Sequence, residues 1–157
     1  MLVRKATPED SEGIAELNRE LSLQHVTYHP IYSLKENASE ATVVYIREKI
    51  EKTKSGDTLA LVAQDNDIVG FLTCSIIDRN NPNWQTAKIG HIGGVYVTPA
   101  YRRRGVAAGL MEEAFKWLRE RKIEYVDLNV VVQNTEAIAA YTALGFKPFQ
   151  HNLIRKL

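Results

Sequence analysis

The sequence predicts a mixed α/β domain of the α+β kind, and three observations carry that reading. The middle third is strand-rich and broken by compact turn signals, the last third alternates helix-like and strand-like periods, and the first third holds two stretches of helical spacing. The 157 residues are the usual size of one domain with a sizeable core. A single domain over residues 1–157 is therefore expected, opening β-α-α-β-β-β and closing α-β-α-β.

Each element has its own reason. Residues 2–6 read as a first strand. Thr7, Pro8, Glu9 and Asp10 then open a helix: Thr7 can cap, Pro8 suits the first helical position, and the acids favour the positive helix end. Ile14, Leu17 and Leu21 give its apolar stripe. Residues 25–34 break the pattern and read as a loop. A second helix is expected over 39–54, with Val43, Ile46 and Ile50 on one face. Strands 58–64 and 68–77 flank Asp65-Asn66-Asp67 and should pair as a hairpin. Residues 79–85 read as a longer loop. A further strand spans 87–97, and its Gly93-Gly94 pair suggests a bulge or a close backbone approach. Ala107, Leu110, Met111, Ala114 and Leu118 mark a helix over 105–121. Residues 125–132 form a β-branched strand, 134–144 a short helix stopped by Gly145, and Phe146 onward a returning strand.

Composition narrows the function. A net charge of +1 offers no general field for nucleic acid or an anionic membrane. No apolar run approaches the roughly 20 residues that span a bilayer, and the N-terminus lacks an apolar stretch of signal-peptide length. The single cysteine, Cys74, has no partner for an internal disulfide. These features lead to the expectation of a cytoplasmic protein.

The most informative segment runs from Val95 to Ala108. A strand ends, Pro99 prevents its continuation, and a glycine-bearing turn opens a long helix. Unpaired N–H groups and the helix dipole make such a start a phosphate site. Gly105 lets backbone approach a ligand, Ala107 and Ala108 leave room, and Arg102, Arg103 and Arg104 add charge. The alternative is a turn in which the glycine serves only the chain reversal.

The spacing Arg102-x-x-Gly105-x-Ala107, followed by Asn134-x-x-Ala137-x-x-x-Tyr141-x-x-x-Gly145-Phe146, resembles the two signatures of the GNAT (Gcn5-related N-acetyltransferase) superfamily. The similarity covers most of the chain and is weakest over residues 25–56, where members differ according to acceptor. It implies a central, mostly antiparallel mixed sheet of six to seven strands, flanked by about four helices. Two middle strands, here 87–97 and 125–132, splay apart to admit acetyl-CoA. The acetyl-CoA-binding core is then 87–146. The pyrophosphate cradle maps onto Arg103, Arg104, Gly105, Val106, Ala107 and Ala108. The pantetheine arm would pair with Val95, Tyr96 and Val97, and Asn134 takes a position that often bonds that arm. The resemblance implies no metal, and a homodimer, since dimers are common in the family.

Amine attack on a thioester needs a neutral amine, a proton acceptor, and an acid for the departing thiolate. Tyr141 is the candidate acid by its place in the second signature, against the alternative of a tyrosine that merely packs under the sheet. A phenol is protonated at neutral pH and can donate to sulfur. The backbone N–H near Val95 is the oxyanion donor by family position. His91 is the candidate base, because histidine suits proton abstraction near neutrality. Strand alternation puts it on the face of Gly93 and Val95 unless a bulge intervenes. A Glu holds a similar place in the histone-modifying branch, and many members use a water chain instead. Asp78 and Glu124 are further partners.

The ring-rich stretch holding Tyr28, His29 and Tyr32 is expected to line the acceptor pocket or to cover the sheet as a folded loop. A metal at His25 and His29 lacks a cysteine or acidic partner and is not expected. Cys74 reads as a buried structural thiol, and Trp84 and Trp117 as packing or lid residues. The expected activity is transfer of acetyl from acetyl-CoA to a primary amine of a small molecule, peptide or protein. A non-catalytic acyl-CoA-binding module is the alternative; it would not need Tyr141.

Overall fold

The computed structural model describes residues 1–36, 38–79, 81–83, 85 and 88–156. Its elements are β1 (Leu2–Lys5), α1 (Ser11–Val26), α2 (Ala38–Lys52), β2 (Thr58–Gln64), β3 (Ile68–Asp78), β4 (Lys88–Val97), α3 (Val106–Glu120), β5 (Val126–Leu128) and α4 (Thr135–Ala143). Strands stand in the order β1-β2-β3-β4-β5. The first four pair antiparallel, as short connections allow, and β5 pairs parallel to β4 after the α3 crossover.

The strands β2 and β3 read as near-continuous apolar runs because both faces of the sheet are covered. On one face α3 lays Val106, Leu110, Met111, Ala114, Trp117 and Leu118 against Leu61, Leu72, Cys74, Ile92 and Val97. On the other, Ile14, Leu17, Ile46 and Ile50 of α1 and α2 meet Ala60, Val62, Phe71 and Tyr96. A fully buried aliphatic side chain contributes about 2 kcal/mol, and α3 buries six apolar residues while α4 buries none. The helix that opens at the glycine turn is thus firmly held, and α4 rests on it loosely. Among the described residues no helix is long and apolar enough to cross a membrane.

The chain entry is tied down by Asp10, only 7% exposed. Its carboxylate accepts from the Thr7 N–H at 2.7 Å and from both arms of the Arg4 guanidinium at 2.7 and 2.9 Å. The Arg4 guanidinium also reaches Gln64, so one carboxylate links β1, β2 and the start of α1. Pro8–Asp10 forms a 3-10 turn before α1 takes over.

Five expectations need correction. The described residues form five strands, not six to seven. The strand expected over 125–132 spans only Val126–Leu128, and its ladder ends opposite Ile92, next to the irregularity in β4. The returning strand after Phe146 does not form: Phe149, Leu153 and Ile154 stay exposed, and three-residue β5 offers little edge to pair with. As a result β5 lies at the edge of the sheet, not in its middle. The expected loop over 25–34 is partly ordered: α1 runs on to Val26 and Pro30–Tyr32 makes a 3-10 turn. Trp117 packs in the core at 6% exposure, whereas Trp84 and Ala87 lie outside the described residues.

Arg4, ahead of the burial that opposes it, holds the Asp10 carboxyl below its ordinary range. Asp10→Asn should lower stability by about 1–3 kcal/mol at neutral pH, from the lost charge-assisted bonds. A depressed folded-state pKa gives stability that is complete above the unfolded value of about 3.9 and fades as pH falls through the folded value. Chemical denaturation of both proteins across pH should therefore show the gap closing below about pH 4.

Candidate active site

The strand β4 carries one more residue than its partner. Its ladder with β3 passes from Thr73 opposite Gly94 to Cys74 opposite Ile92, so Gly93 is the extra residue of a β-bulge. The bulge reverses which residues face which helix. Before it, Gly90 and Ile92 face α3; a Cβ on Gly90 would meet Leu118 at 2.6 Å. After it, Val95 packs on the α3 side with Val97. His91, Gly93, Gly94 and Tyr96 consequently face α1 and α2. The His91 side chain shares the face of Gly93, as expected, but is on the opposite face from Val95.

The same irregularity opens the sheet. The strands β4 and β5 pair only at Gly90–Val126, His91–Asp127 and Ile92–Leu128. Beyond that point residues 93–97 have no strand neighbour on their outer side among the described residues, and the chain from 129 to 134 runs free of the ladder. Val95, Tyr96 and Val97 therefore lie on an open edge of β4, with outward backbone groups able to pair with an extended ligand.

On the α1/α2 face, His91 Nδ1 stands 2.6 Å from Asp127 Oδ1. A carboxylate only accepts, so Nδ1 carries the hydrogen and, in the neutral ring, Nε2 is the nitrogen able to accept a proton. The His91 side chain is 25% exposed, so the ring is reachable. Asp127 is absent from the sequence expectations, which named Asp78 and Glu124. Its partnership depends on parallel register, and its only local signal is a polar residue between two inward-facing apolar ones.

On the opposite face, Tyr141 of α4 packs against the α3-side cluster, with its ring edge-on to Phe146 at 6.0 Å. Burial pushes its phenol above the ordinary value, so the hydroxyl stays protonated. Asn134 caps α4, its Oδ1 accepting from the Ala137 N–H at 3.2 Å, and its NH2 group keeps its hydrogens for other partners. Cys74 is fully buried and burial pushes its thiol to about 12, which rules it out as a nucleophile.

At the end of β4, Pro99–Tyr101 makes a 3-10 turn. Arg103 then takes φ +60° and Gly105 φ +80°. Such left-handed residues turn successive N–H groups inward, the geometry of an anion nest. The Gly109 N–H is the first to find a helical acceptor, the Gly105 carbonyl at 2.9 Å, so those of Val106, Ala107 and Ala108 are free. A Cβ on Gly105 would meet nothing within 4 Å, so the approach is open. Arg103 and Arg104 are exposed, Arg104 lying over the Tyr101 ring at 5.4 Å. Arg102 points elsewhere: its Nε donates to the Val97 carbonyl at 3.0 Å, its guanidinium covers Tyr96, and it pairs with Glu136 at 3.8 Å. The turn, the free strand and α4 are thereby linked.

The ring-rich stretch packs on itself. The His25 ring meets those of Tyr28 and Tyr32 edge-on, Gln24 donates to the Tyr28 hydroxyl, and His29 Nδ1 accepts from the Ile31 N–H. His25 Nδ1 in turn bonds the Leu21 carbonyl. These contacts order the end of α1, and none of them joins Tyr28, His29 or Tyr32 to β4.

A free strand edge leading to a phosphate-ready helix start suits a long phosphorylated thioester, and the comparisons with known proteins agree. Residues 17–146 match the Acetyltransferase (GNAT) family. The chain is 28% identical over 155 residues to an N-alpha-acetyltransferase of Saccharolobus solfataricus, covering 92% of this chain and 79% of that one. It is 26% identical over 110 residues to an aminoglycoside N(6')-acetyltransferase type 1 of Acinetobacter haemolyticus, covering 69% and 76%. Its fold superposes on a crystal structure of a mutant BH1408 protein from Bacillus halodurans with TM-score 0.89, at 20% identity over 100% and 99% of the two chains. The chain belongs to the acetyltransferase (GNAT) family and is an acyl-CoA-dependent acetyltransferase.

Proposed function

We propose that the protein transfers the acetyl group of acetyl-CoA to a primary amine by direct attack in a ternary complex, with the acceptor entering from the α1/α2 face. The observation that supports this reading is His91, held by Asp127, on the α1/α2 face, with protonated Tyr141 packed on the α3 side. A module that only bound acyl-CoA would need neither.

In this reading the thioester supplies the activated acetyl group. The free N–H groups of Val106, Ala107 and Ala108 hold the pyrophosphate, helped by Arg103, Arg104 and the helix dipole. Arg102 holds the turn against Val97 and Tyr96, and the 93–97 backbone receives the pantetheine arm. His91 Nε2 takes the proton from the attacking amine while Asp127 stabilises the imidazolium. The Val95 N–H faces the developing oxyanion. Tyr141, kept protonated by burial, offers its hydroxyl hydrogen to the sulfur as it departs. The acceptor is an amine of a small molecule, peptide or protein; an aminoglycoside and a protein α-amine are the classes named for the two relatives. Cytoplasmic location and a homodimeric state belong to the same proposal.

Calorimetric titration of acetyl-CoA and CoA should show Gly105→Glu binding at least about tenfold more weakly than wild type, because a carboxylate then stands where phosphate must sit. The substitution meets open space and should cost only about 1 kcal/mol of stability, from the left-handed backbone. Tyr141→Phe should lower kcat by about 10–100-fold with acetyl-CoA affinity unchanged; unaltered turnover would remove Tyr141 from the reaction. His91→Ala and Asp127→Asn should each slow turnover, and the double variant should be no slower than His91→Ala alone, since Asp127 acts only through the ring. Multiplying effects would show that the two residues act separately.

A further inference from the structure

We propose that Lys49 anchors the carboxylate of the acceptor, so that the enzyme acetylates α-amino acids in preference to cationic amines. The proposal rests on the acetyl-transfer reading above and names the substrate class of that site.

Lys49 lies on α2, half-buried, and its ammonium reaches over the bulge of β4. A Cβ on Gly93 would stand 3.7 Å from Lys49 Nζ and 3.3 Å from Thr73 Oγ1, and one on Gly94 would stand 3.8 Å from the same hydroxyl. The Thr73 hydroxyl thus lies near both glycines, the Lys49 ammonium stands over Gly93, and the Phe71 ring, 3.6 Å from a Cβ on Gly94, bounds the other side. The Tyr45 ring, one helical turn before Lys49, lies 5.0 Å from Nζ and steadies it. His91 occupies the same face two residues earlier on the strand.

The charges on this face are unevenly partnered. The Glu20 carboxylate accepts from the Tyr96 hydroxyl at 2.8 Å, and Asp127 is held by His91 at 2.6 Å. Arg102 has Glu136, the Val97 carbonyl and the Tyr96 ring. Lys49 pairs with no carboxylate of the described residues. The ammonium thus lacks a carboxylate partner, and an incoming carboxylate can supply one. In an α-amino acid the carboxylate and the amine share one carbon. A carboxylate on Lys49 therefore places the amine above Gly93 and Gly94, beside the open edge of β4 and on the side of His91. A polycationic acceptor would bring like charge against Lys49 and is repelled.

The test compares a panel of α-amino acids with their α-amides and their decarboxylated amines, in wild type and in Lys49→Met and Lys49→Arg. The amide's amine is less basic and more often neutral, so a preference for the acid runs against intrinsic reactivity. Wild type should favour the acid by about 10–100-fold in kcat/KM, the worth of a charge-assisted contact. Lys49→Met should abolish that preference through KM on the acid and leave the amide within about twofold, while Lys49→Arg keeps most of it. A wild-type preference for amides or bare amines overturns the anchor and leaves acetyl transfer standing. Equal losses on acid and amide in Lys49→Met also overturn it, since a general structural role would act on both. If wild type acetylates no member of any series, the anchor falls and acetyl transfer to another class of amine still stands.

Discussion

An extra residue in β4 governs the rest of the site. Gly93 has no partner in β3, and this single insertion changes the face on which every later residue of the strand lies. It puts His91 opposite Val95, ends the β4–β5 ladder at Ile92 and Leu128, and leaves the 93–97 backbone unpaired on one side. A regular strand here would continue its ladder and close that edge. The bulge is also why the two proton-transfer candidates need not crowd one another. His91 and Asp127 lie on the face covered by α1 and α2, and Tyr141 on the face covered by α3.

The bulge can serve chemistry only because its surroundings are rigid. The helix α3 is nailed to the sheet by six buried side chains, so the free N–H groups at its start keep their direction. Left-handed backbone at Arg103 costs about 1–2 kcal/mol, and it is tolerated where Arg102 and Tyr101 are tied to Val97 and Asp65 on either side. By contrast α4 buries nothing fully, and Tyr141 is its main link to the core. The proposed phosphate end is thus held by a well-buried helix, and the proposed sulfur end by a helix with no fully buried residue.

Local signals in the sequence were enough for the parts of the fold that depend on local physics. The helix stripe of Leu110, Met111, Ala114 and Leu118, the 58–64 and 68–77 hairpin, and the Pro99-to-Gly105 turn all follow from spacing and backbone chemistry. What failed, or stayed hidden, depends on pairing between distant segments. The alternation after Phe146 looks like a strand, but alternation does not supply a neighbour. Asp127 becomes a partner for His91 only once β5 is laid parallel to β4 in one register. The reversal of His91 relative to Val95 turns on which of two adjacent glycines is unpaired, and Lys49 enters the site only through the packing of α2 over that bulge. A one-residue change in register moves every side chain to the other face, and no local pattern reports it.

Hydrogen exchange of the protein with and without acetyl-CoA tests the central claim most directly, because it reads the backbone groups themselves. Acetyl-CoA should slow exchange in two separate segments, residues 93–97 and residues 105–108, while residues 25–34 remain unchanged in the absence of an acceptor. Protection confined to other parts of the chain, with both of those segments exchanging as before, would contradict a cofactor held between the bulged strand and the start of α3.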